Sequence, residues 1–128
     1  MTILDCREIK NNIIKDIKNK VSKLPRKPTL AVISTMDDES SKIYVNSKKK
    51  MCEDIGYDFR YFECSDMSES EISDIILKLN NYDDVDGILL QLPVRDGIDA
   101  NKLISLISYK KDVDGLTDIN MGKVINNN

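Results

Sequence analysis

The run Gly87-Ile88-Leu89-Leu90-Gln91-Leu92-Pro93 constrains this chain more than any other stretch. A strand with one wet face alternates apolar and polar residues. This one is aliphatic at consecutive positions, so both faces need cover, as in a parallel sheet with helices on each side. The rest of the chain offers that cover. Ile9, Ile13, Ile17, Val21 and Leu24 recur at near-helical spacing. With Asp5 ahead of them and Pro25 beyond, they predict an amphipathic helix over 5–24. Thr29 to Thr35, behind Pro28, reads as a buried strand. Residues 40–55 read as a second helix closed by Gly56. Residues 57–64 alternate aromatic and polar, which predicts a second strand. Ser68-Glu69-Ser70-Glu71 fits a capping box, with Ile72, Ile75, Ile76 and Leu79 as the apolar face of a third helix. Residues 86–92 are the third strand and 99–107 a fourth helix. The chain beyond residue 107 reads as loop, with a frayed polar tail at Asn126-Asn127-Asn128. Helix alternating with strand predicts an α/β fold: a three-layer α-β-α domain whose mainly parallel sheet is built from βαβ units.

Composition narrows the function. The 128 residues are 41% hydrophobic and 32% charged, which suits one soluble domain. A net charge of −3 gives no bulk attraction for nucleic acid or an anionic membrane. No apolar run reaches the length of a membrane span, and the N-terminus has no signal-peptide core. Cys6, Cys52 and Cys64 are an odd set without CxxC spacing, which reads as reduced thiols of a cytoplasmic protein, without a disulfide frame or zinc site. There is no histidine, so histidine-based nucleophilic catalysis and the usual zinc hydrolase sites are excluded. A general acid or base here must be a tuned Lys, Tyr, Asp, Glu or Cys.

Open α/β sheets bind ligands off the carboxyl ends of their strands. Thr35 and the loop to Ser41 come after the first strand, and Gln91 and Pro93 end the third. Tyr44 and Lys48, four apart, share one helix face with Ser41. Desolvation would lower the Lys48 pKa and make it a proton shuttle, but spacing alone favours a solvated helix face for Lys48 as for Lys49 and Lys50. Tyr44 is either a rim aromatic or a stacking platform for a planar ligand. Gln91 breaks an aliphatic strand, so its amide needs a partner: a neighbouring loop, or Lys48 and a ligand. Asp112 and Asp114 before Gly115 form either a turn or an acceptor for an amino-pyrimidine edge. Neither GxGxxG nor GxxxxGK[ST] is present, so no dinucleotide turn is expected.

Three segments in this order resemble a known family: Asp37 to Lys50 with Gly56 beyond it; Asp86-Gly87-Ile88-Leu89-Leu90-Gln91-Leu92-Pro93-Val94; and Lys111-Asp112-Val113-Asp114-Gly115-Leu116 with Asn120 and Gly122. The chain is identified by them as similar to the bifunctional methylenetetrahydrofolate dehydrogenase/methenyltetrahydrofolate cyclohydrolase (FolD) family. The resemblance implies a folate-binding N-terminal catalytic domain over 1–128. A C-terminal Rossmann domain binding NAD or NADP would lie outside this chain, and the full enzyme would be a homodimer acting on tetrahydrofolate derivatives. It implies Lys48 as general acid/base, Tyr44 packed on the folate, Gln91 tuning the lysine and Asp112 anchoring the pterin edge. Ser41, Leu90, Leu92, Pro93, Asp114 and Gly115 would line the site. An Asp112 carboxylate close to Lys48 would oppose its desolvation. The strand signature usually ends Leu-Pro-Leu-Pro and here reads Leu92-Pro93-Val94-Arg95. A chain that ends just past Gly122 is expected to lack dehydrogenase activity and to expose an apolar patch; the alternative is a non-catalytic folate-binding module. Tyr-xxx-Lys also occurs in short-chain dehydrogenases, but those need a glycine-rich turn upstream.

Overall fold

The computed structural model describes residues 5–127. The elements run α1 (Cys6–Val21), β1 (Thr29–Ser34), α2 (Glu39–Ile55), β2 (Asp58–Glu63), α3 (Glu69–Asn81), β3 (Gly87–Leu90), α4 (Ala100–Leu106) and α5 (Asp118–Ile125). The strands form one parallel sheet in the order β2-β1-β3. Leu30 to Ile33 pair with Gly87 to Leu90, and Thr29 to Ser34 with Asp58 to Glu63. The expected α/β class holds, with helices on both sides of the sheet.

The period-2 alternation of the strands sorts the core. Ala31, Ile33, Ile88 and Leu90 point to one side and pack with Ile72, Ile76 and Leu79 of α3 and Leu103 of α4. Each such side chain removed from water stabilises the fold by about 1.5–3 kcal/mol. Val32 and Leu89 point the other way, against Val45 of α2, with Leu30 and Phe59 partly buried beside them. β2 is one of the two edge strands of the sheet, and its charged Asp58, Arg60 and Glu63 suit that place.

The helix starts agree with their capping residues. Asp5 accepts from the Arg7 and Glu8 N–H groups, Asp38 from Ser41 N–H, and Asp99 from Lys102 N–H. Ser68 and Glu71 complete the expected capping box. Gly56 closes α2 at φ 89°, a left-handed cap that suits glycine.

Three expectations change. The first helix carries its apolar stripe, but none of its residues is buried, and Ile9 and Ile13 are 44% and 55% exposed. Its stripe flanks an apolar groove of about 390 Å³ with Met51 of α2. The region read as loop after residue 107 contains α5. That helix buries nothing and has no side-chain cap, so little in its sequence announces it. The third strand stops at Leu90, although the Gln91 N–H still donates to Ile33 O at 2.8 Å; the Leu92–Pro93 peptide beyond it is cis. Of the tail, Asn128 lies outside the described residues.

The amino end of the sheet is closed. Arg26 makes a two-pronged contact with Asp86, at 2.6 and 2.8 Å, and Asp86 also accepts Thr29 N–H at 2.9 Å. The carboxyl end is where the side chains of interest gather.

Candidate active site

α2 begins directly after β1, so its first turns pass over the strand ends. Lys48 and Tyr44 occupy the flank of α2 that looks toward β3. Lys48 Nζ donates to Gln91 Oε1 at 2.9 Å, a contact spanning 43 positions of sequence. Gln91 Nε2 donates in turn to Leu92 O at 2.9 Å. The amide is therefore held at both ends, and a residue only 8% exposed has its polar groups satisfied. Lys48 Nζ lies 5.8 Å from the Tyr44 ring centroid, at the outer limit of a cation–π contact. Tyr44 itself is 62% exposed, so its free ring face is open to a planar ligand.

The two aspartates of the third motif divide their work. Asp112 sits beside β3 through a parallel bridge to Ile88. Its carboxylate accepts the Gly115, Leu116 and Thr117 N–H groups, the Thr117 hydroxyl at 2.8 Å and Asn120 Nδ2 at 2.9 Å. Burial opposes ionisation, but these donors outweigh it and hold Asp112 down to about 2. Both oxygens are engaged within the loop, so the turn reading applies to Asp112. Asp114 is different. Partial burial pushes its pKa up, Lys48 pulls it back, and Asp112 pushes it up again. No hydrogen bond of the chain occupies it among the described residues, so Asp114 is the acceptor left open beside Lys48. The carboxylate that feels the Lys48 charge is thus Asp114, where Asp112 was expected.

The remaining expected residues separate. Ser41 is buried with its hydroxyl donating to Asp38 Oδ2 at 2.8 Å, so it serves the helix cap. Ser40 also donates to Asp38, and with Ser41 holds that carboxyl well below the usual range. Leu90 is 3% exposed and belongs to the core between the sheet and α4. Leu92 and Pro93 are exposed on the strand-end loop. Gly115 takes φ 69°, a conformation that favours glycine and lets the backbone turn back toward Asp112. Sequence reasoning assigned no role to Thr35, Thr117 or Asn120, whose roles depend on partners several residues to several elements away.

No group of three His, Cys, Asp or Glu able to hold a metal lies among the described residues. No described helix is long and apolar enough to cross a membrane. A cavity of about 360 Å³ lies on the far flank of α2, between Lys42, Lys49, Phe59 and Tyr61, away from Lys48.

The class of protein defined here is a parallel α/β domain with a lysine–glutamine–tyrosine constellation at its strand ends. Residues 4–114 match the family model described as tetrahydrofolate dehydrogenase/cyclohydrolase, catalytic domain, and the chain belongs to that family. A bifunctional protein FolD from Ruthia magnifica is 43% identical over 128 residues, covering 99% of this chain and 46% of the relative. The crystal structure of the bifunctional FolD methylenetetrahydrofolate dehydrogenase/cyclohydrolase from Campylobacter jejuni superposes with a TM-score of 0.93 at 35% identity, covering 97% of this chain and 45% of that one. A FolD from Trypanosoma brucei, complexed with NADP cofactor and inhibitor, gives a TM-score of 0.88 at 25% identity over 96% of this chain and 43% of that one. The chain thus spans a little under half the length of these relatives.

Proposed function

We propose that this chain is the folate-binding catalytic portion of a cytoplasmic, homodimeric enzyme. That enzyme oxidises 5,10-methylenetetrahydrofolate to the 5,10-methenyl form with NAD(P)+ and hydrolyses this to 10-formyltetrahydrofolate. The observation that carries the reading is the 2.9 Å Lys48–Gln91 hydrogen bond beside the open Tyr44 ring. Family membership and the activities named for the relatives support it.

In this reading Tyr44 stacks on the flat part of the substrate. Asp114 accepts from the amino-pyrimidine edge, while Asp112 anchors the loop that presents Asp114. In hydrolysis, water adds to the methenyl carbon between N5 and N10. Lys48, acting as general base, takes a proton from that water and then, as general acid, returns it to N5 as the carbon–N5 bond breaks. The hydroxyl proton of the adduct leaves to solvent as the formyl carbonyl forms, so one proton is released in all. Gln91 cannot titrate; it aims the amine.

The described residues do not fit NAD(P). The turn from β1 to α2 has no glycine, and the Asp38 carboxylate already occupies the start of α2, where it would repel a phosphate. Binding of the nicotinamide cofactor is therefore assigned to a part of the enzyme other than these residues.

The 62% exposure of Tyr44 favours a second reading, a folate-binding module without turnover. Titration with a stable reduced folate separates the possibilities. The Tyr44 and Gln91 amide NMR signals are expected to move, and a spectrum left unchanged sinks the folate reading. Hydrolysis of 5,10-methenyltetrahydrofolate should fall at least ~100-fold in Lys48→Met. Equal, negligible turnover in both proteins with folate still bound would select the module.

A further inference from the structure

Three strand-end loops meet at Thr35 and Arg95. Thr35 comes directly after β1, and its side chain is buried, with 1% of the residue exposed. Its Oγ1 accepts the Arg95 backbone N–H at 2.9 Å, across 60 positions of sequence. The Arg95 guanidinium donates to the Met67 carbonyl, in the loop after β2. Arg95 Nε is buried and makes no hydrogen bond within the chain. An unpaired buried donor costs stability, so this arginine is not arranged for stability alone.

The consequence falls on residues 91–95. Gln91 N–H donates to Ile33 O at 2.8 Å, and Arg95 N–H to Thr35 Oγ1, so this segment is pinned to the end of β1 at both of its ends. Between the pins lies the Leu92 carbonyl, which accepts Gln91 Nε2. A side-chain amide has a donor end and an acceptor end. Holding the donor end on Leu92 turns Oε1 toward Lys48 Nζ. We propose that Thr35 and Arg95 are positioning residues that fix the Leu92 carbonyl and so set the Gln91–Lys48 pair. Neither touches the substrate. Both act through the Leu92–Pro93 peptide group, in a loop whose Leu92 side chain is exposed.

The ligand readout rests on the folate reading above, and the spectroscopic readout does not. In Thr35→Val, nearly isosteric but without the acceptor, the NMR signals of the Gln91 side-chain amide and of the Lys48 side chain should both move. Reduced-folate affinity should weaken on the order of tenfold, as misplacement of a site group does. Thr35→Ser keeps the hydroxyl and should restore all three. Arg95→Met keeps the backbone N–H but drops the Met67 link, and should shift the same signals by less. Unmoved Gln91 and Lys48 signals in a folded Thr35→Val overturn the proposal, as does a Thr35→Ser that behaves like Thr35→Val. Where Thr35→Val does not fold, unmoved signals in Arg95→Met overturn it. If the wild-type chain binds no reduced folate, the functional reading fails while the signal shifts still decide this one.

Discussion

The two faces of the sheet are built differently. On the α3/α4 face, side chains from four elements interlock with almost no exposure, among them Ile33, Ile72, Ile76, Ile88 and Leu103. On the α2 face the buried contacts reduce to Val32, Val45 and Leu89, with Leu30 and Phe59 at the margin. Tyr44, Lys48 and Gln91 belong to this thinner side, and outside it α1 lies with its apolar stripe uncovered. Tight packing is concentrated on one face and the proposed site on the other. A catalytic group has to remain within reach of water and ligand, which suits the face that packs less.

Substitutions should expose this asymmetry in a graded way. Ile33→Ala, in the closed core, should lower unfolding free energy by about 2–5 kcal/mol in urea titration. A loss below about 1 kcal/mol would show that this face is no better packed than the other. Asp112→Asn should cost roughly 2 kcal/mol near neutral pH, because Asp112 falls from 3.8 unfolded to about 2 in the fold. The sign comes from that depression. The contribution is present above 3.8 and is lost as pH falls through about 2, so wild type and variant should converge in stability on acidification. A constant gap across that window would refute the linkage. Ile13→Ser, on the outer stripe, should change stability by less than about 0.5 kcal/mol in the same titration, since the residue is 55% exposed in this chain. A larger loss would mean that α1 covers more apolar surface than its exposure implies.

Legibility in the sequence divides along the same line. The strands and the third helix were plain because burial imposes periods of two and 3.6, and the consecutive Ile88-Leu89-Leu90 could only be a doubly covered strand. The Tyr44–Lys48 spacing gave a shared flank, and Gln91 a polar break that needed a partner. α5 was illegible because Thr117, the residue at its start, commits its hydroxyl to Asp112 and caps nothing. The division of labour between Asp112 and Asp114 was equally hidden. Two carboxylates with one residue between them look alike in sequence, and only the donors of 115–120 show which one is already occupied. Leu90 is placed among the site residues by the resemblance alone, yet it adjoins Gln91 on the strand, and adjacent strand residues point to opposite faces.

Gly87 and Val113 are coupled through space. A β-carbon built on Gly87 would stand 2.5 Å from Val113 Cγ1 and 3.3 Å from Leu30 Cδ1. The valine of the third motif thus occupies the volume that a side chain at the start of β3 would otherwise fill. Strand and loop thus share one side chain between them, and any bulk added at 87 would require Val113 to give way. The shape of the loop presenting Asp114 is in this way tied to the absence of a side chain on β3, far away along the chain.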